Sequence, residues 1–440
     1  MDDLARETIT DLLRSSWLIE AARRDLYRLW AKEAAGWDER ADGAEQRAEI
    51  LEKALAARGR KADAVHLEKH AAWLRGVVGE DPDEVPLGGL FAARLGDWVE
   101  GHATRFLDGG ADRLAELGTR ERESLVFPDS LPEPPPFEPV ETIETEPPGR
   151  VRFRFAILGD LHFGSPGGER TARVAMTDIA ASGAELVIQL GDVTNRGTKD
   201  EFDLAKKTLA EFDIPITTMM GNHDIYSLEE ERLSGREYYG SAFDREPDGV
   251  LLEHKGMRFA VLDSATSAAS PFPPFNFVSG SFLEGSGGAV VHGSLTVPQH
   301  EILADVAAPG SGPAFVFLHH PPQPFTGFPP ILFGLRDADS GRLHATVDSG
   351  NVWGVFAGHT HRNARTRDFG RVPAQEVAIP RDFPFGYALV DVADEGYAYR
   401  FVQLSDEALL RKAYKHASAI HRRFGLGKPE ERSFVWTATA

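Results

Sequence analysis

The sequence predicts two domains, an all-helical bundle followed by an α/β domain. Apolar residues recur at helical spacing in the first 125 residues, whereas short apolar runs alternate with helical segments after residue 150. Between these regions, residues 127–149 contain eight prolines among 23 residues. Because such a segment can form neither a regular helix nor a central strand, it marks the boundary between the two domains.

Residues 1–125 predict a helical bundle domain. Leu13, Trp17, Ala21 and Leu26 recur near helical spacing in a segment rich in Ala, Leu, Arg and Glu. Glycine and proline separate the helical segments. The predicted helices span residues 4–35, 38–58, 62–79, 87–107 and 111–124. Helices joined by such short loops favour a bundle.

Residues 126–150 form a segment rich in Pro and Glu. Proline fixes the backbone in extended conformations and removes hydrogen-bond donors. We therefore expect either an extended, semi-rigid linker or a strap laid over a protein surface.

Residues 151–440 predict the α/β domain. The predicted strands span residues 151–158, 185–190, 215–220, 250–255, 257–263, 313–318, 352–357 and 387–403. The predicted helices span residues 168–182, 199–212, 298–307 and 405–424. Residues 264–297 are rich in Ser, Gly, Pro and Phe, which indicates a long loop over one face of the domain.

The composition excludes several classes of protein. The chain has no cysteine, so thiolate metal sites, disulfide scaffolds and cysteine nucleophiles are excluded. With 48 basic and 68 acidic residues the formal charge is −20, which argues against binding to a nucleic-acid backbone. We find neither a signal peptide nor a stretch of ~18 apolar residues. We therefore expect a cytoplasmic protein with no membrane partner.

Polar residues that can bind metals or protons follow five of the predicted strands. Because strand ends converge at one edge of an α/β sheet, these side chains can meet in space. Six of the 15 histidines lie in these five segments. Histidine and carboxylate ligands without sulfur suit zinc, iron or manganese. The segments are Gly159–His162, Gly191–Gly197, Gly221–Asp224, His319–Pro322 and Gly358–His361.

Spacing within the segments supports a shared site. Alternate residues of an extended chain lie on one side, so Asp160 and His162 can face the same point, as can His359 and His361. A glycine precedes four of the five motifs, which allows tight turns and close approach of the backbone.

The ordered set of motifs DxH, GDxxNRG, GNHD, HHPP and GHTH resembles the calcineurin-like metallophosphoesterase superfamily. The resemblance covers roughly residues 151–400 and includes no part of the bundle. It implies a four-layer αββα sandwich for residues 151–440. In the form of its motifs the chain looks most like the small-molecule phosphodiesterases that cleave cyclic nucleotides or glycerophosphodiesters.

The resemblance also implies a set of ligands for two metal ions, which the family binds as manganese, iron or zinc. Seven residues match the ligand positions of the family. One ion would take Asp160, His162 and His361, the other Asn222, His319 and His359, and Asp192 would bridge both. His320 could replace His319, although the alignment of motifs favours His319.

The same resemblance implies roles in catalysis for four further residues. His223 would act on the leaving group as a general acid or bind the phosphate, and Asp224 would orient His223. Asn195 and Arg196 could hydrogen-bond phosphate oxygens, although Arg196 could equally form a surface ion pair. Arg381, in the segment RDFPFGY, could contact substrate, but packing is the expected role of that segment.

We therefore predict metal-dependent hydrolysis of a phosphate ester, by attack of a metal-bridging hydroxide on phosphorus. A small phosphodiester is the expected substrate, and Asn195 supports this choice because the protein-phosphatase branch has Asp at that position. The alternatives are a phosphomonoesterase or protein phosphatase, a nuclease, and a non-enzymatic regulatory scaffold. In the last case the bundle would serve as a module for a protein partner or a second copy of the chain.

Overall fold

The structure is a computed structural model of the chain. It describes residues 3–32, 36–60, 96, 107, 109–124, 136–225, 235–265, 293–322, 334–335, 337–417, 421–422 and 425–438. The described residues fall into two compact units, one within residues 1–133 and the other within residues 134–440. The predicted helix 62–79, nearly all of 87–107, and most of the predicted loop 264–297 lie outside the described residues.

The first unit contains three described helices, α1 (Asp3–Trp30), α2 (Trp37–Ala56) and α3 (Ala111–Ser124). They match three of the predicted helices within a few residues. Helices α1 and α2 pack together through apolar faces that include Leu26 and Leu51. Trp30 and Trp37 meet edge to face, with ring centroids 4.6 Å apart. The helical spacing in the sequence therefore reflects a buried face in these helices.

A buried network of charges joins the three helices. Arg47 Nε donates to Glu20 Oε2 over 2.9 Å, which links α2 to α1. Arg23 Nη2 and Arg47 Nη2 both donate to Glu121 Oε2, over 2.5 and 2.8 Å, which links these helices to α3. Two arginines and two glutamates neutralise one another away from water, so each charge depends on its partners.

The part of the Pro/Glu-rich segment that the structure describes, residues 136–150, lies on the second unit. Residues 136–147 are extended without regular hydrogen bonding. Phe137 packs edge to face on Tyr414, and the Val140 N–H donates to Gln403 Oε1 over 2.9 Å. This part of the segment is a strap with its own contacts.

The described part of the second unit contains twelve strands. They are β1 (Val151–Leu158), β2 (Val187–Gln189), β3 (Ile216–Thr217), β4 (Val250–His254), β5 (Met257–Leu262), β6 (Ala314–Leu318), β7 (Val352–Ala357), β8 (Ala364–Phe369), β9 (Val372–Glu376), β10 (Gly386–Ala393), β11 (Gly396–Gln403) and β12 (Ser433–Thr437). They form two six-stranded mixed sheets. The strand orders are β12-β11-β10-β1-β2-β3 and β4-β5-β6-β7-β9-β8.

Helices described in this unit connect the strands. They are α4 (Gly168–Ala181), α5 (Lys199–Leu209), α6 (Gly235–Phe243), α7 (Val297–Ala307), α8 (Asp337–Asp348), α9 (Glu407–His416) and α10 (Pro429–Arg432). Of these, α4, α5, α7, α8 and α9 pack on the outer faces of the sheets. Alternation along β1 shows the layers. Phe155 packs between the sheets against Phe259 and Phe315, whereas Leu158 belongs to the core shared with α4 and α5. The predicted αββα sandwich is confirmed.

Several elements differ from the sequence prediction. The predicted strand 387–403 is two antiparallel strands, because the chain turns at residues 394–395 and β10 pairs with β11. Strands β8, β9 and β12 and helices α6 and α8 were not predicted. β9 contains a proline and β8 mainly polar residues, and both compositions are atypical of strands. Helices α6 and α8 contain glycine, which is typical of turns, so the sequence did not predict them.

The direction of the strands brings the motifs together. Strands β1, β2 and β3 run parallel in the first sheet, and β5, β6, β7 and β9 run parallel in the second. Their carboxyl ends therefore lie at common edges, where ligand sites form in α/β proteins. None of the described helices combines the length and the apolar character that a membrane crossing requires.

The buried charge network predicts a local loss of stability when one charge is removed. In Glu121→Gln both arginines remain buried with only Glu20 to neutralise them. Breaking a buried ion pair from one side costs about 3–5 kcal/mol. We therefore expect faster amide hydrogen exchange in α1 and α2, measured by mass spectrometry on the full chain.

Glu116→Gln on the same helix is the matched control. The side chain of Glu116 is 46% exposed and pairs with Arg113, and exposed pairs contribute ~0–1 kcal/mol. Equal exchange rates in the two variants would contradict the role given to the network.

Candidate metal centre

The loops after five strands bring all seven predicted ligands together. The first sheet supplies the loops after β1, β2 and β3, and the second sheet supplies those after β6 and β7. The candidate ligands form two groups that share one residue. They are Asp160, His162, Asp192, Asn222, His319, His359 and His361.

Asp160, His162 and His361 form the first group. The Nε2 atoms of His162 and His361 are 3.2 Å apart, and His361 Nε2 lies 3.1 Å from Asp160 Oδ2. Asp192 Oδ2 is 3.8 Å from His162 Nε2. All four side chains are buried. One nitrogen or oxygen atom of each thus faces a common point.

Asn222, His319 and His359 form the second group. His319 Nε2 lies 3.0 Å from Asn222 Oδ1 and 3.1 Å from His359 Nδ1. His320 is near the same point, but Ser264 Oγ lies 2.9 Å from its Nδ1 and accepts its amide N–H over 3.0 Å. This geometry favours His319 over His320 as the residue that faces Asn222 and His359.

Asp192 connects the two groups. Its Oδ2 faces His162 of the first group, and its Oδ1 lies 3.5 Å from His319 Nε2 of the second. A carboxylate with one oxygen directed at each group has the arrangement required to bridge two ions.

The hydrogen bonds behind the imidazole rings leave lone pairs directed into the groups. His319 Nδ1 donates to the carbonyl oxygen of Leu190 over 2.8 Å, so its Nε2 carries a lone pair. His361 Nδ1 lies 2.9 Å from Asp382 Oδ2, which assigns the proton there to Nδ1. His162 Nδ1 is buried and has no hydrogen-bond partner in the described part of the chain. The nitrogens directed into the groups fit a cation, which would take the place of the second proton on His361.

The spacing of these atoms also fits metal ions. Atoms bound ~2.1 Å from one ion lie about 3.0–3.4 Å from one another. Four contacts within the two groups, at 3.0–3.2 Å, match this spacing, and the Asp192 oxygens lie slightly farther away, at 3.5 and 3.8 Å. The residues present therefore fit two ions with nitrogen and oxygen ligands.

The backbone of the ligand loops is strained. Seven non-glycine residues have positive φ angles in the described ranges, and four of them are candidate ligands: His162 (48°), Asp192 (49°), His359 (70°) and His361 (55°). Left-handed conformations cost ~1–3 kcal/mol each and persist only where neighbouring structure enforces them. They cluster here because the loops must turn sharply to direct the side chains inward.

Two of the motif glycines allow this approach. A Cβ atom at Gly221 would lie 2.1 Å from Asp192 Oδ1, and one at Gly358 would lie 2.5 Å from Asp160 Oδ1. Only glycine leaves room for the carboxylates at these positions.

The candidate ligands differ in the direction in which their pKa values are shifted. Burial lowers the pKa values of His162 and His359 well below the ordinary histidine value, so both rings are neutral at pH 7. Burial, together with the nearby Asp160 carboxylate, raises the pKa of Asp192. Burial alone would lower the pKa of His361, but hydrogen bonds to Asp160 and Asp382 raise it to about 9. The first group therefore favours a positive charge, which a bound ion would supply in place of the proton.

His223 lies beside the first group, with its ring centroid 4.7 Å from that of His162. Burial lowers its pKa to about 4. Asp224 does not orient His223, contrary to the sequence prediction. The contact is made instead by the carbonyl oxygen of Asn195, which accepts from His223 Nδ1 over 2.8 Å.

Asp224 instead joins two loops. Its carboxylate accepts hydrogen bonds from the amides of Val193, Thr194 and Gly221, over 2.7–3.0 Å, and from the Thr194 hydroxyl over 2.7 Å. Four donors surround the carboxylate, so none of its capacity is directed at His223. The loop that carries Asp192 is thereby fixed to the loop that carries Asn222.

Asn195 and Arg196 lie at the end of the Asp192 loop. Asn195 is partly buried and Arg196 is exposed. The Asn195 N–H donates to the carbonyl oxygen of Phe163 over 2.9 Å, and the Arg196 N–H donates to Glu201 Oε2 over 2.7 Å. The backbone of Asn195 thus positions His223, whereas the side chain of Arg196 is on the surface.

Sequence reasoning missed three residues that support the centre. Asp382 and His421 lie behind His361, with Asp382 Oδ2 3.5 Å from His421 Nδ1. Glu376 accepts from Thr360 Oγ1 over 2.6 Å and from Arg362 Nε over 2.9 Å. None of the three lies in a recognisable motif. Glu376 ends β9, Asp382 lies in the loop after β9, and His421 follows α9, so only the structure shows their contacts with the centre.

Comparison with known proteins agrees with the geometry. Residues 153–363 match the family model described as calcineurin-like phosphoesterase. A probable cyclic nucleotide phosphodiesterase of Rhodococcus erythropolis is 27% identical over 254 residues, which cover 53% of this chain and 75% of that protein.

Two further similar proteins are a relative and a solved structure. The glycerophosphodiester phosphodiesterase GpdQ of Enterobacter lignolyticus is 24% identical over 226 residues, covering 48% of this chain and 72% of that protein. The structure of a dimetal phosphatase from Danio rerio aligns with a TM-score of 0.43 at 16% identity, covering 58% of this chain and 98% of that one.

The position of Asp224 predicts a structural effect of its substitution. Asp224→Asn replaces one acceptor oxygen by an NH2 group that faces backbone donors, and an unsatisfied buried donor costs about 1–3 kcal/mol. We expect a lower melting temperature of the full chain without added metal, measured by calorimetry.

Asp203→Asn is the control, because Asp203 is an exposed partner of Lys199. If Asp224→Asn had the melting temperature of this control and lost only hydrolytic activity, the result would contradict the structural role of Asp224. It would then support the original prediction that Asp224 orients His223.

Proposed function

Residues 153–363 form a calcineurin-like phosphoesterase domain, and from this premise we propose that the chain hydrolyses small phosphodiesters at a two-metal centre. The domain makes the protein a metal-dependent phosphoesterase. One observation carries the more specific proposal. The two oxygens of Asp192 face two separate groups of ligands.

The residues present fit two divalent or trivalent ions, and zinc, iron and manganese all accept these ligands. Asp160, His162 and His361 would hold one ion, Asn222, His319 and His359 the other, with Asp192 shared. Two bound ions would supply a hydroxide nucleophile near neutral pH and neutralise the charge of the phosphate.

The remaining roles belong to side chains beside these groups. His223 keeps its Nδ1 on the Asn195 carbonyl, which leaves Nε2 to hydrogen-bond a phosphate oxygen or the leaving group. Arg381 is partly exposed. Burial is the main cause that lowers the pKa values of His162 and His223, and the positive charge of Arg381 lowers them further. Arg381 and Arg196 are therefore the candidate cations for phosphate binding.

Two observations support a small diester as the substrate class. The two curated relatives are named a cyclic nucleotide phosphodiesterase and a glycerophosphodiester phosphodiesterase. The formal charge of −20 opposes the approach of a polyanionic nucleic acid. A small diester carries a single negative charge and meets little of this repulsion.

The proposal predicts a preference between two model substrates. Metal-stripped full-length protein reconstituted with Mn²⁺ should cleave bis(p-nitrophenyl) phosphate with a higher kcat/KM than p-nitrophenyl phosphate. Asp192→Asn should lower this activity by at least 100-fold, because loss of the shared carboxylate separates the two ion sites. Release of p-nitrophenol measures both.

A preference for the monoester would replace the proposal by a phosphomonoesterase acting on the same centre. No turnover of either substrate with manganese, zinc or iron would favour a scaffold without catalysis.

His223 is expected to act on the chemical step. His223→Ala should lower kcat for the diester by about 10²–10⁴-fold, the usual contribution of a positioned acid or base. The content of bound Mn²⁺ should stay at the wild-type level, measured by plasma mass spectrometry. His344→Ala, in an exposed part of α8, is the control. Loss of Mn²⁺ together with activity would instead make His223 a structural residue.

A further inference from the structure

The loop between β9 and β10 passes directly behind the first ligand group. Asp382 in this loop directs Oδ2 at His361 Nδ1, 2.9 Å away. Two backbone hydrogen bonds close the loop on itself, from the Phe385 N–H to the Asp382 carbonyl over 2.6 Å and from the Gly386 N–H to the Ile379 carbonyl over 3.1 Å. The backbone that carries Asp382 is therefore held by its own loop.

His421 comes from the segment that follows α9. Its Nδ1 lies 3.5 Å from the same Asp382 oxygen, and its ring centroid lies 5.4 Å from that of His361. The side chains of Asp382, His361 and His421 are only 17%, 11% and 13% exposed. The three residues thus form a mostly buried row that leads from the C-terminal segment to the ligand group.

The C-terminal segment is anchored at this point. The Asn363 N–H donates to the Gly425 carbonyl over 2.9 Å, and Asn363 Nδ2 donates to the Leu426 carbonyl over 3.2 Å. A Cβ atom at Gly425 would lie 2.1 Å from the carbonyl oxygen of Phe383. Glycine lets the segment pack directly on the loop that carries Asp382.

The Asp382 carboxylate lies between two imidazoles. Its Oδ2 is 2.9 Å from His361 Nδ1 and 3.5 Å from His421 Nδ1. Burial would raise the pKa of Asp382, but the neighbouring His421, His361 and Arg381 hold it well below the usual range.

We propose that Asp382 and His421 are positioning residues for His361, so that the loop after β9 and the C-terminal segment complete the first metal site. This inference rests on the two-metal centre of the proposed function. Both residues lie beyond residues 153–363, the part that matches the family model.

The contribution of Asp382 follows from its contact. By accepting the Nδ1–H proton it fixes the tautomer of His361 with the lone pair on Nε2, which points at Asp160 and His162. Its charge also makes the imidazole a stronger ligand. His421 packs against this pair and keeps the carboxylate from turning towards water. Arrangements of this kind change metal affinity by about 10–100-fold when disrupted.

The test measures metal binding without any substrate. Metal-stripped full-length protein is titrated with Mn²⁺ alone, and free Mn²⁺ is followed by electron paramagnetic resonance. Wild type should bind two ions. In Asp382→Asn one of the two sites should weaken by about 10–100-fold while the other changes little. Asp394→Asn is the matched control, because Asp394 lies in the exposed turn between β10 and β11.

A second pair of variants addresses the C-terminal segment. His421→Ala should weaken the same single site, by ~10-fold. His416→Ala on the exposed side of α9 should bind both ions as wild type does. Melting of the metal-free proteins accompanies each titration. Should Asp382→Asn fail to fold, the His421→Ala titration decides the matter alone.

Three results would overturn the inference. One is unchanged Mn²⁺ affinity at both sites in Asp382→Asn, or in His421→Ala if Asp382→Asn does not fold. Another is equal weakening of both sites, as a general structural defect would give. The last is a third ion in wild type that is lost in Asp382→Asn, since Asp382 would then be a ligand itself.

The inference and the proposed function can fail separately. If wild type binds two ions but cleaves no diester, the proposed function fails while the selective effect of Asp382→Asn still stands. If wild type cleaves the diester and Asp382→Asn binds both ions normally, only the inference on Asp382 fails.

Discussion

Two carboxylates buried about one point, Asp160 and Asp192, impose the constraint on which the ligand loops depend. A buried carboxylate is strongly unfavourable unless hydrogen bonds or positive charge surround it. Asp160 accepts the His359 amide over 3.0 Å, and Asp192 accepts the His223 amide over 2.8 Å. These bonds use part of the accepting capacity of Asp160 Oδ2 and Asp192 Oδ1 and leave other lone pairs of each carboxylate for cations. The raised pKa of His361, which contacts Asp160 and Asp382, reflects the same demand for positive charge.

This constraint explains the backbone strain of the ligand loops. His359 and His361 alternate with Thr360 and Arg362, so the two histidines face the ligand groups while the other two side chains face Glu376. Glu376 on β9 binds both of them, over 2.6 Å to Thr360 Oγ1 and in a fork of 2.9 and 3.0 Å to Arg362. A bidentate, buried ion pair is among the stronger polar contacts in proteins. It can therefore hold two left-handed histidines, separated by one residue, that an isolated loop would release.

The sequence predicted those features that depend on residues close together in the chain. Strands such as β1 and β6 are continuous apolar runs, and the residues after them lie in compact motifs, so the layers and the groups of ligands could be expected. The motifs already favoured His319 over His320, and the structure adds a contact between His320 and Ser264, which is distant in sequence. The prediction for Asp224 was wrong, because the fold of the chain sets its partners. Adjacency to His223 suggested a contact, whereas the backbone turn directs the carboxylate at Val193 and Thr194.

Supporting residues such as Glu376, Asp382 and His421 carry no signal in one sequence, because each acts on a motif residue from another strand or segment. Their positions nevertheless follow one rule. Behind three of the ligand loops, those after β2, β3 and β7, a carboxylate accepts hydrogen bonds from backbone or side-chain donors of the loop. Asp224 does so for the loops after β2 and β3, and Glu376 and Asp382 do so after β7. A centre that concentrates positive charge in front thus requires fixed negative charge behind it, and the fold supplies that charge from elements outside the motifs.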